Sequence, residues 1–178
     1  MNRKIKNLII DSILLALLIV ASKLSIYTSF VPFTLQLLII LIISLLVDFK
    51  NALLIISIYI GIGLIGIPVF SSSIASVAIL IHPSFGFILG FLLIAFVIPL
   101  LKLKINNYLT LSFIALLIDY ICGFIYVILL SKVFMVLEID LTIFKIFINF
   151  IAIFIPFDII KCVLATIIVK RVENSTIQ

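Results

Sequence analysis

The fold is decided by one long uncharged stretch, "NALLIISIYIGIGLIGIPVFSSSIASVAILIHPSFGFILGFLLIAFVIPLL" (51–101), which contains no Asp, Glu, Lys or Arg. A membrane-spanning helix needs about 20 predominantly apolar residues, so this stretch accommodates two such helices and a connection between them. The whole chain has the same character, because 66% of its residues are hydrophobic and only 11% are charged. Soluble domains carry about 25% charged residues. The sequence therefore predicts an all-α integral membrane protein.

Six apolar segments follow one another along the chain, and we expect them to form a six-transmembrane-helix bundle. Residues that break helices, such as prolines, serines and charged side chains, separate these segments. The bundle would be a single polytopic membrane domain over residues 1–178. A cleaved signal peptide is the alternative for the first segment, but Asp11 interrupts it and further spans follow. The predicted helices lie near 5–24, 34–48, 51–67, 84–101, 107–131 and 143–170.

The basic residues predict the orientation of the bundle. If the N-terminus is cytoplasmic, eight basic residues fall on the inner side, three fall on the outer side, and Lys161 lies within the membrane. The positive-inside rule therefore favours cytoplasmic positions for both termini. The three outer connections would then be 22–34, 66–84 and 132–142, and the first two contain prolines. We expect these outer loops to cap a ligand pocket.

Several classes of function are not supported by the sequence. The basic residues stand at the ends of apolar runs rather than in a patch interleaved with aromatic residues, so nucleic-acid binding is not predicted. His82 is the only histidine, Cys122 and Cys162 lie in apolar segments, and no H-E-x-x-H, G-x-S-x-G or P-loop motif occurs. "GIGLIG" (61–66) is interpreted as helix-packing glycines rather than a nucleotide site. We predict no enzyme activity, no metal and no cofactor.

Two formal charges stand in the last apolar segment, where Asp158 precedes Lys161 by three residues. That spacing places both side chains on one face of a helix. A charge at mid-bilayer costs about 2.5–3.5 kcal/mol on insertion scales, so it normally faces the bundle interior or a cavity. Two interpretations remain open. The residues form an internal ion pair that fixes helix packing, or they bind a small ligand with an acidic tail and an amide-like head.

Two further features come from the other helices. Asp119 and Tyr120 are adjacent polar residues in the fifth apolar segment. Adjacent residues point in different directions on a helix, so we do not expect them to share one role. Asp119 is as compatible with helix packing as with ligand contact. On the first helix, Ser12 and Ala16 form a small-x-x-x-small pair, which allows close approach of another helix.

Five motifs resemble those of the BioY family, the biotin-specific substrate-binding (S) components of energy-coupling factor (ECF) transporters. "VPFTLQ" (31–36) is similar to the family's P-F-T-L-Q, and "GLIGIPVF" (63–70) to its G-L-x-G-x-P-V-F. "HPSFGFILGF" (82–91) follows where the family has G-P-T-G-G-Y-x-x-G-F. "YICG" (120–123) is similar to Y-x-x-G, and "IPFDIIKCVLA" (155–165) to P-x-D-x-x-K-x-x-x-A. The order of the motifs along the chain is also the family's.

This resemblance implies a multi-pass protein of a prokaryotic cell membrane that captures biotin from outside. Lys161 is expected to hold the valerate carboxylate or another polar end of biotin, and Asp158 a ureido N–H. Further residues match family positions near the pocket: Phe33, Thr34, Gln36, Phe87 and Tyr120.

The resemblance also implies partners. These would be a transmembrane coupling subunit and two ATPase subunits, so that ATP hydrolysis takes place outside this chain. Ser12 and Ala16 are the candidates for the family's coupling contact on helix one.

The chain departs from the family pattern around the third motif. His82 and Phe85 stand where the family has glycine, Phe87 stands where it has tyrosine, and the glycine-rich loop reads "SSSIASVA" (71–78). The alternatives are therefore an S component for a different vitamin or a biotin relative, and a ligand-free structural membrane subunit.

Overall fold

The protein is helical in a computed structural model, which describes residues 3–26, 31–71, 76–133 and 142–176. A short 3₁₀ helix, Val77–Ile81, precedes the fourth α-helix, and π-helical turns follow the fifth and sixth over Leu129–Val133 and Ile148–Ala152. The α-helices are α1 (Arg3–Lys23), α2 (Gln36–Leu46), α3 (Phe49–Ile65), α4 (Phe85–Lys102), α5 (Tyr108–Ile128), α6 (Ile143–Phe147) and α7 (Ile155–Thr176).

Every predicted segment contains a helix, but the helices differ in length. Within the described residues, four helical stretches are long and apolar enough to cross a membrane: Ile5–Lys23, Phe85–Lys102, Tyr108–Lys132 and Ile143–Ser175. The helix predicted over 34–48 is shorter, because α2 has 11 residues and extends for only about 16 Å. The last predicted segment consists of α6, a π-helical turn and α7.

Local sequence explains where several helices begin and end. The Asn107 side chain caps α5 by accepting hydrogen bonds from the backbone N–H groups of Leu109 (3.0 Å) and Thr110 (3.3 Å). Gly66 ends α3 in the left-handed conformation, with φ of 110°, which glycine adopts without a Cβ clash. A pair of two-residue antiparallel strands, β1 (Ser25–Ile26) and β2 (Phe33–Thr34), leads into α2 and was not predicted.

The helices are apolar on both their inner and outer faces. Leu18, Ile40 and Ile94 are fully buried between the helices, while Leu8 and Ile125 are more than half exposed on the outside. A water-soluble protein rarely exposes contiguous apolar surface on this scale. The exposed faces are therefore those of helices whose surroundings are lipid.

Close contacts join α4 to α5. A Cβ added to Gly86 would lie 2.4 Å from Tyr126, one added to Gly90 would lie 2.4 Å from Asp119 Oδ1, and one added to Gly123 would lie 2.4 Å from Phe87. Such distances are below any real Cβ contact, so these glycines let the two helices approach.

Hydrogen bonds hold the two ends of the bundle. At one end, the segment after α3 is held by Ser22, whose hydroxyl donates to the Val69 carbonyl, and by Lys23, whose ammonium donates to the Phe70 carbonyl at 2.7 Å. At the other end, the Glu173 carboxylate accepts from Lys102 (3.0 Å) and Tyr108 (2.6 Å). The predicted outer connections are described only in part, since 27–30, 72–75 and 134–141 lie outside the described residues.

Candidate ligand-binding site

A cavity lies at the end of the bundle where α2, α4 and α7 begin. Its empty volume is about 540 Å³, including the open solvent at its mouth. Ligand sites typically combine an apolar lining with a few placed polar groups. The cavity has this composition. Its lining residues are Val31, Pro32, Thr34, Gln36, Leu37, Ser71, Ser84, Phe87, Ile88, Phe91, Asp119, Tyr120, Phe154, Asp158 and Lys161.

The polar centre of the cavity is the Asp158 carboxylate, in the first turn of α7. Its Oδ1 lies 2.6 Å from the Lys161 ammonium, and its Oδ2 accepts a 2.6 Å hydrogen bond from the Tyr120 hydroxyl of α5. Asp158 is 5% exposed and Lys161 is 6% exposed. A buried charge is tolerated when it is paired and hydrogen-bonded, and this arrangement satisfies both requirements. The i, i+3 spacing that the sequence indicated does place the two side chains together.

Phe33 lies beside this ion pair rather than on the cavity wall. The Lys161 ammonium is 4.1 Å from the centre of the Phe33 ring, which is within cation–π distance. The ring also packs edge-on against Phe157, with centroids 4.8 Å apart, and stacks on Phe154 at 6.3 Å. β2 thus supplies an aromatic support for the lysine. The resemblance implied that Phe33 lies near the pocket. In the structure, Phe33 contacts Lys161 and is not one of the residues that line the cavity.

Thr34 and Gln36 line the cavity and are joined to α3 by hydrogen bonds. The Thr34 hydroxyl donates to the Gln36 side-chain oxygen at 3.1 Å, and the Gln36 amide donates to the Tyr59 hydroxyl at 2.6 Å. Tyr59, which is fully buried, in turn donates to the Val69 carbonyl at 3.2 Å. This chain of hydrogen bonds connects the start of α2 to α3 and to the segment after it. Tyr59 was missed by sequence reasoning, since a tyrosine within an apolar helix gives no signal of its partners.

Asp119, on α5, also lines the cavity. It is 4% exposed, and its Oδ1 has no hydrogen-bond partner among the described residues. The side chain packs against Gly90 of α4, whereas Tyr120 reaches Asp158 of α7. The two adjacent residues therefore contact different helices, as their spacing predicted, yet both border the same cavity.

The third motif supplies the α4 side of the cavity. Phe87 lines it, as the resemblance implied, and its ring packs against Gly123 of α5. Ser84 and Phe91 also line it and were not predicted as site residues. Both residues belong to "HPSFGFILGF" (82–91), one of the motifs that carry the resemblance, and this membership could have predicted them as lining residues.

Ser12 and Ala16 lie on the exposed face of α1, away from the cavity lining. The Ser12 hydroxyl donates within its own helix, to the Leu8 carbonyl at 2.8 Å. Neither side chain is buried within the part of the chain that the structure describes. Over the described ranges, no group of three or more His, Cys, Asp or Glu side chains could hold a metal ion.

The chain is similar to known proteins along its whole length. The model of the BioY family matches residues 1–178. The "Biotin transporter BioY" of Thermotoga maritima is 32% identical over 97% of this chain and 99% of that protein. The "Probable biotin transporter BioY" of Pyrococcus horikoshii is 31% identical, with coverage of 97% and 99%.

A solved structure is also similar. It is the crystal structure of the S-component for biotin from an ECF-type ABC transporter, and it superposes with a TM-score of 0.74 at 27% identity. The superposition covers 98% of this chain and 95% of the other. Because the family model matches the full length and the relatives are similar across it, this chain belongs to the BioY family.

Proposed function

We propose that this chain is the biotin-binding subunit of an uptake system in a prokaryotic cell membrane. It would bind biotin in the cavity between α2, α4, α5 and α7, and a coupling subunit with two ATPase subunits would supply the energy. Family membership, the two similar transporters and the superposed S-component support this proposal. The chain itself performs no reaction in this scheme.

One observation carries the assignment of the site: a buried carboxylate and a buried ammonium, 2.6 Å apart, both line the cavity. Biotin has a ureido ring with two N–H donors and a carbonyl acceptor, and it has a carboxylate on a flexible tail. Asp158 would accept one ureido N–H. Charged groups form stronger hydrogen bonds than neutral ones. Hydrogen bonds to Asp158 and Lys161 would therefore fix the orientation of the ligand in the cavity.

The distance between the two charges decides which end of biotin Lys161 contacts. Since its ammonium and the Asp158 carboxylate are within hydrogen-bond distance, both would meet neighbouring atoms of one ligand group. The ureido ring presents a donor and an acceptor side by side, whereas the carboxylate tail lies several bonds away. We therefore assign Lys161 to the ureido carbonyl and the carboxylate tail to the cavity mouth.

Asp119 and Phe87 would complete the contacts. Asp119 lines the cavity, and its Oδ1 is buried against Gly90 with no hydrogen-bond partner among the described residues, so a rotation of the carboxyl group toward a polar ligand would satisfy it. Phe87 offers an apolar ring to the sulfur-containing ring of biotin, since thioether sulfur and aromatic rings attract each other.

The proposal includes the six crossings and the cytoplasmic termini. α2 and α3 are short for a membrane of about 30 Å, so each would cross together with its flanking residues. Reporter fusions at both ends of the chain test the orientation. Activity of a cytoplasm-dependent reporter at both ends supports it, and activity of a periplasm-dependent reporter at either end contradicts it.

The exposed face of α1 is proposed as the coupling contact. Replacing Ser12 and Ala16 by leucine would add bulk where another helix must approach closely. We expect loss of co-purification with the coupling subunit while biotin binding by the isolated chain persists. Leu17→Phe, which adds bulk at an exposed position of the same helix outside the stripe of Ser12 and Ala16, is the matched control and should leave the complex intact.

Equilibrium binding to the purified protein tests the central proposal, with biotin, thiamin and riboflavin as ligands. We expect saturable binding of biotin only, and a loss of about 100-fold or more in affinity for Asp158→Ala and Lys161→Ala. Gly61→Ala, at a glycine with open space around it, serves as the control. Binding of another vitamin in place of biotin would overturn the ligand assignment, and unchanged affinity in both alanine variants would overturn the site.

A further inference from the structure

His82 lies at a tight corner between the short 3₁₀ helix and α4. Its backbone carbonyl accepts a 3.0 Å hydrogen bond from the Phe85 N–H, which closes a four-residue turn with Pro83 in the second position. The His82 ring is half-buried, and Ser84 is 6% exposed. The corner thus places an imidazole directly behind a buried serine that lines the ligand cavity.

Two hydrogen bonds assign the protonation of this ring. The backbone N–H of Ser84 lies 3.2 Å from His82 Nδ1, and the Ser84 hydroxyl lies 2.6 Å from the same nitrogen. A backbone N–H can only donate, so Nδ1 must carry the lone pair and the ring proton resides on Nε2. The Ser84 hydroxyl must then donate its proton to Nδ1 as well.

This arrangement fixes the role that Ser84 can play in the cavity. The Ser84 hydroxyl has one proton, which it donates to His82. Its Oγ can therefore accept a hydrogen bond from a ligand but cannot donate one. We propose that His82 is a positioning residue that makes Ser84 Oγ a dedicated acceptor for an N–H donor of the ligand. The inference rests on the proposed function, because it requires a ligand in this cavity.

The two conservative replacements of histidine separate this role from simple packing. The Oδ1 of asparagine occupies nearly the position of Nδ1, whereas the Oε1 of glutamine corresponds to Nε2. Asparagine at position 82 keeps an acceptor for Ser84, since asparagine side chains commonly accept the N–H two residues ahead in a turn. Glutamine keeps polarity and bulk but moves the acceptor away.

Biotin affinity is measured for the wild type and for His82→Asn, His82→Gln, His82→Ala and Ser84→Ala. We expect His82→Asn to bind within about twofold of the wild type, and the other three variants to bind about two- to tenfold more weakly, the range of one net hydrogen bond. The double variant His82→Ala/Ser84→Ala should bind no more weakly than Ser84→Ala, because both changes remove the same contact.

Three results would overturn the inference: equal affinity for His82→Asn and His82→Gln, wild-type affinity for His82→Ala, or additive losses in the double variant. Thermal unfolding of each variant identifies any that do not fold, and the asparagine–glutamine comparison then remains decisive. If the wild type binds no biotin while all variants fold, the proposed function fails rather than the role of His82.

Discussion

The carboxylate of Asp158 and the ammonium of Lys161 lie 2.6 Å apart on one face of α7, and both line the same cavity. This position is compatible with both interpretations that the sequence left open, an internal ion pair and a ligand site. The pair neutralises two charges that would be costly inside the bundle, and it presents a donor and an acceptor to the cavity. In the proposed function, a bound ligand would replace part of this internal contact with its own hydrogen bonds.

The first prediction concerns the pair as a structural unit. Asp158→Asn or Lys161→Met alone leaves one buried charge without its partner, which costs about 3–5 kcal/mol. The double variant removes both charges, so we expect it to unfold at a higher temperature than at least one of the single variants. Thermal unfolding in detergent measures this.

Biotin binding should be lost in all three variants, including the more stable double variant. Recovery of stability without recovery of binding would separate the packing role from the ligand role. Full binding by the double variant would contradict the assignment of the site.

A second prediction concerns Tyr120, whose hydroxyl donates to Asp158 Oδ2 at 2.6 Å. Tyr120→Phe removes a hydrogen bond to a charged group, which contributes about 1.5–3 kcal/mol. With one oxygen of Asp158 released, we expect biotin affinity to fall by about tenfold or more, as measured by isothermal titration.

Tyr108→Phe is the matched control for this change. Tyr108 is on the same helix and also donates to a carboxylate, that of Glu173, but at the opposite end of the bundle. It should lower the unfolding temperature without changing biotin affinity. Equal affinities for the two phenylalanine variants would show that the Tyr120 contact is dispensable.

A third prediction follows from the neutral ring of His82. Burial lowers the pKa of His82 from its ordinary value of 6.5, so the ring is neutral above that pH. As the pH falls from 6.5 through the lowered pKa, protonation of Nδ1 removes the acceptor for Ser84. Biotin affinity and stability should therefore both decrease in that range.

Asparagine at position 82 does not titrate, so the difference between the wild-type and His82→Asn pH profiles isolates this effect. Parallel profiles would exclude it. Other titratable groups near the corner or the cavity are present in both proteins: Tyr126, Tyr120, Asp119, Asp158 and Lys161.

The sequence predicted those contacts of the candidate site that are made within one helix, and it did not predict the contacts between residues far apart along the chain. Asp158 and Lys161 could be paired from their spacing alone, because a helix fixes which neighbours share a face. The link from Gln36 through Tyr59 to the Val69 carbonyl joins residues 33 positions apart along the chain, and no local pattern specifies it. The short α2 was missed for a related reason, since apolar composition does not reveal where the chain leaves the helix.

The last prediction tests the close contact between α4 and the free oxygen of Asp119. A Cβ at Gly90 would lie 2.4 Å from Asp119 Oδ1 and 3.0 Å from its Cα, so Gly90→Ala must displace the Asp119 side chain or separate α4 from α5. We expect a lower unfolding temperature and weaker biotin binding, because the displaced carboxyl group lies on the cavity wall.

Gly61→Ala is the control for the same substitution in a helix. Nothing lies within 4 Å of a Cβ at Gly61, and alanine is favoured over glycine in helices by up to about 1 kcal/mol. It should therefore bind biotin normally and unfold at the wild-type temperature or above. If Gly90→Ala behaved in the same way, α4 and α5 could not be packed as closely as described, and Asp119 would not be held against the cavity by Gly90.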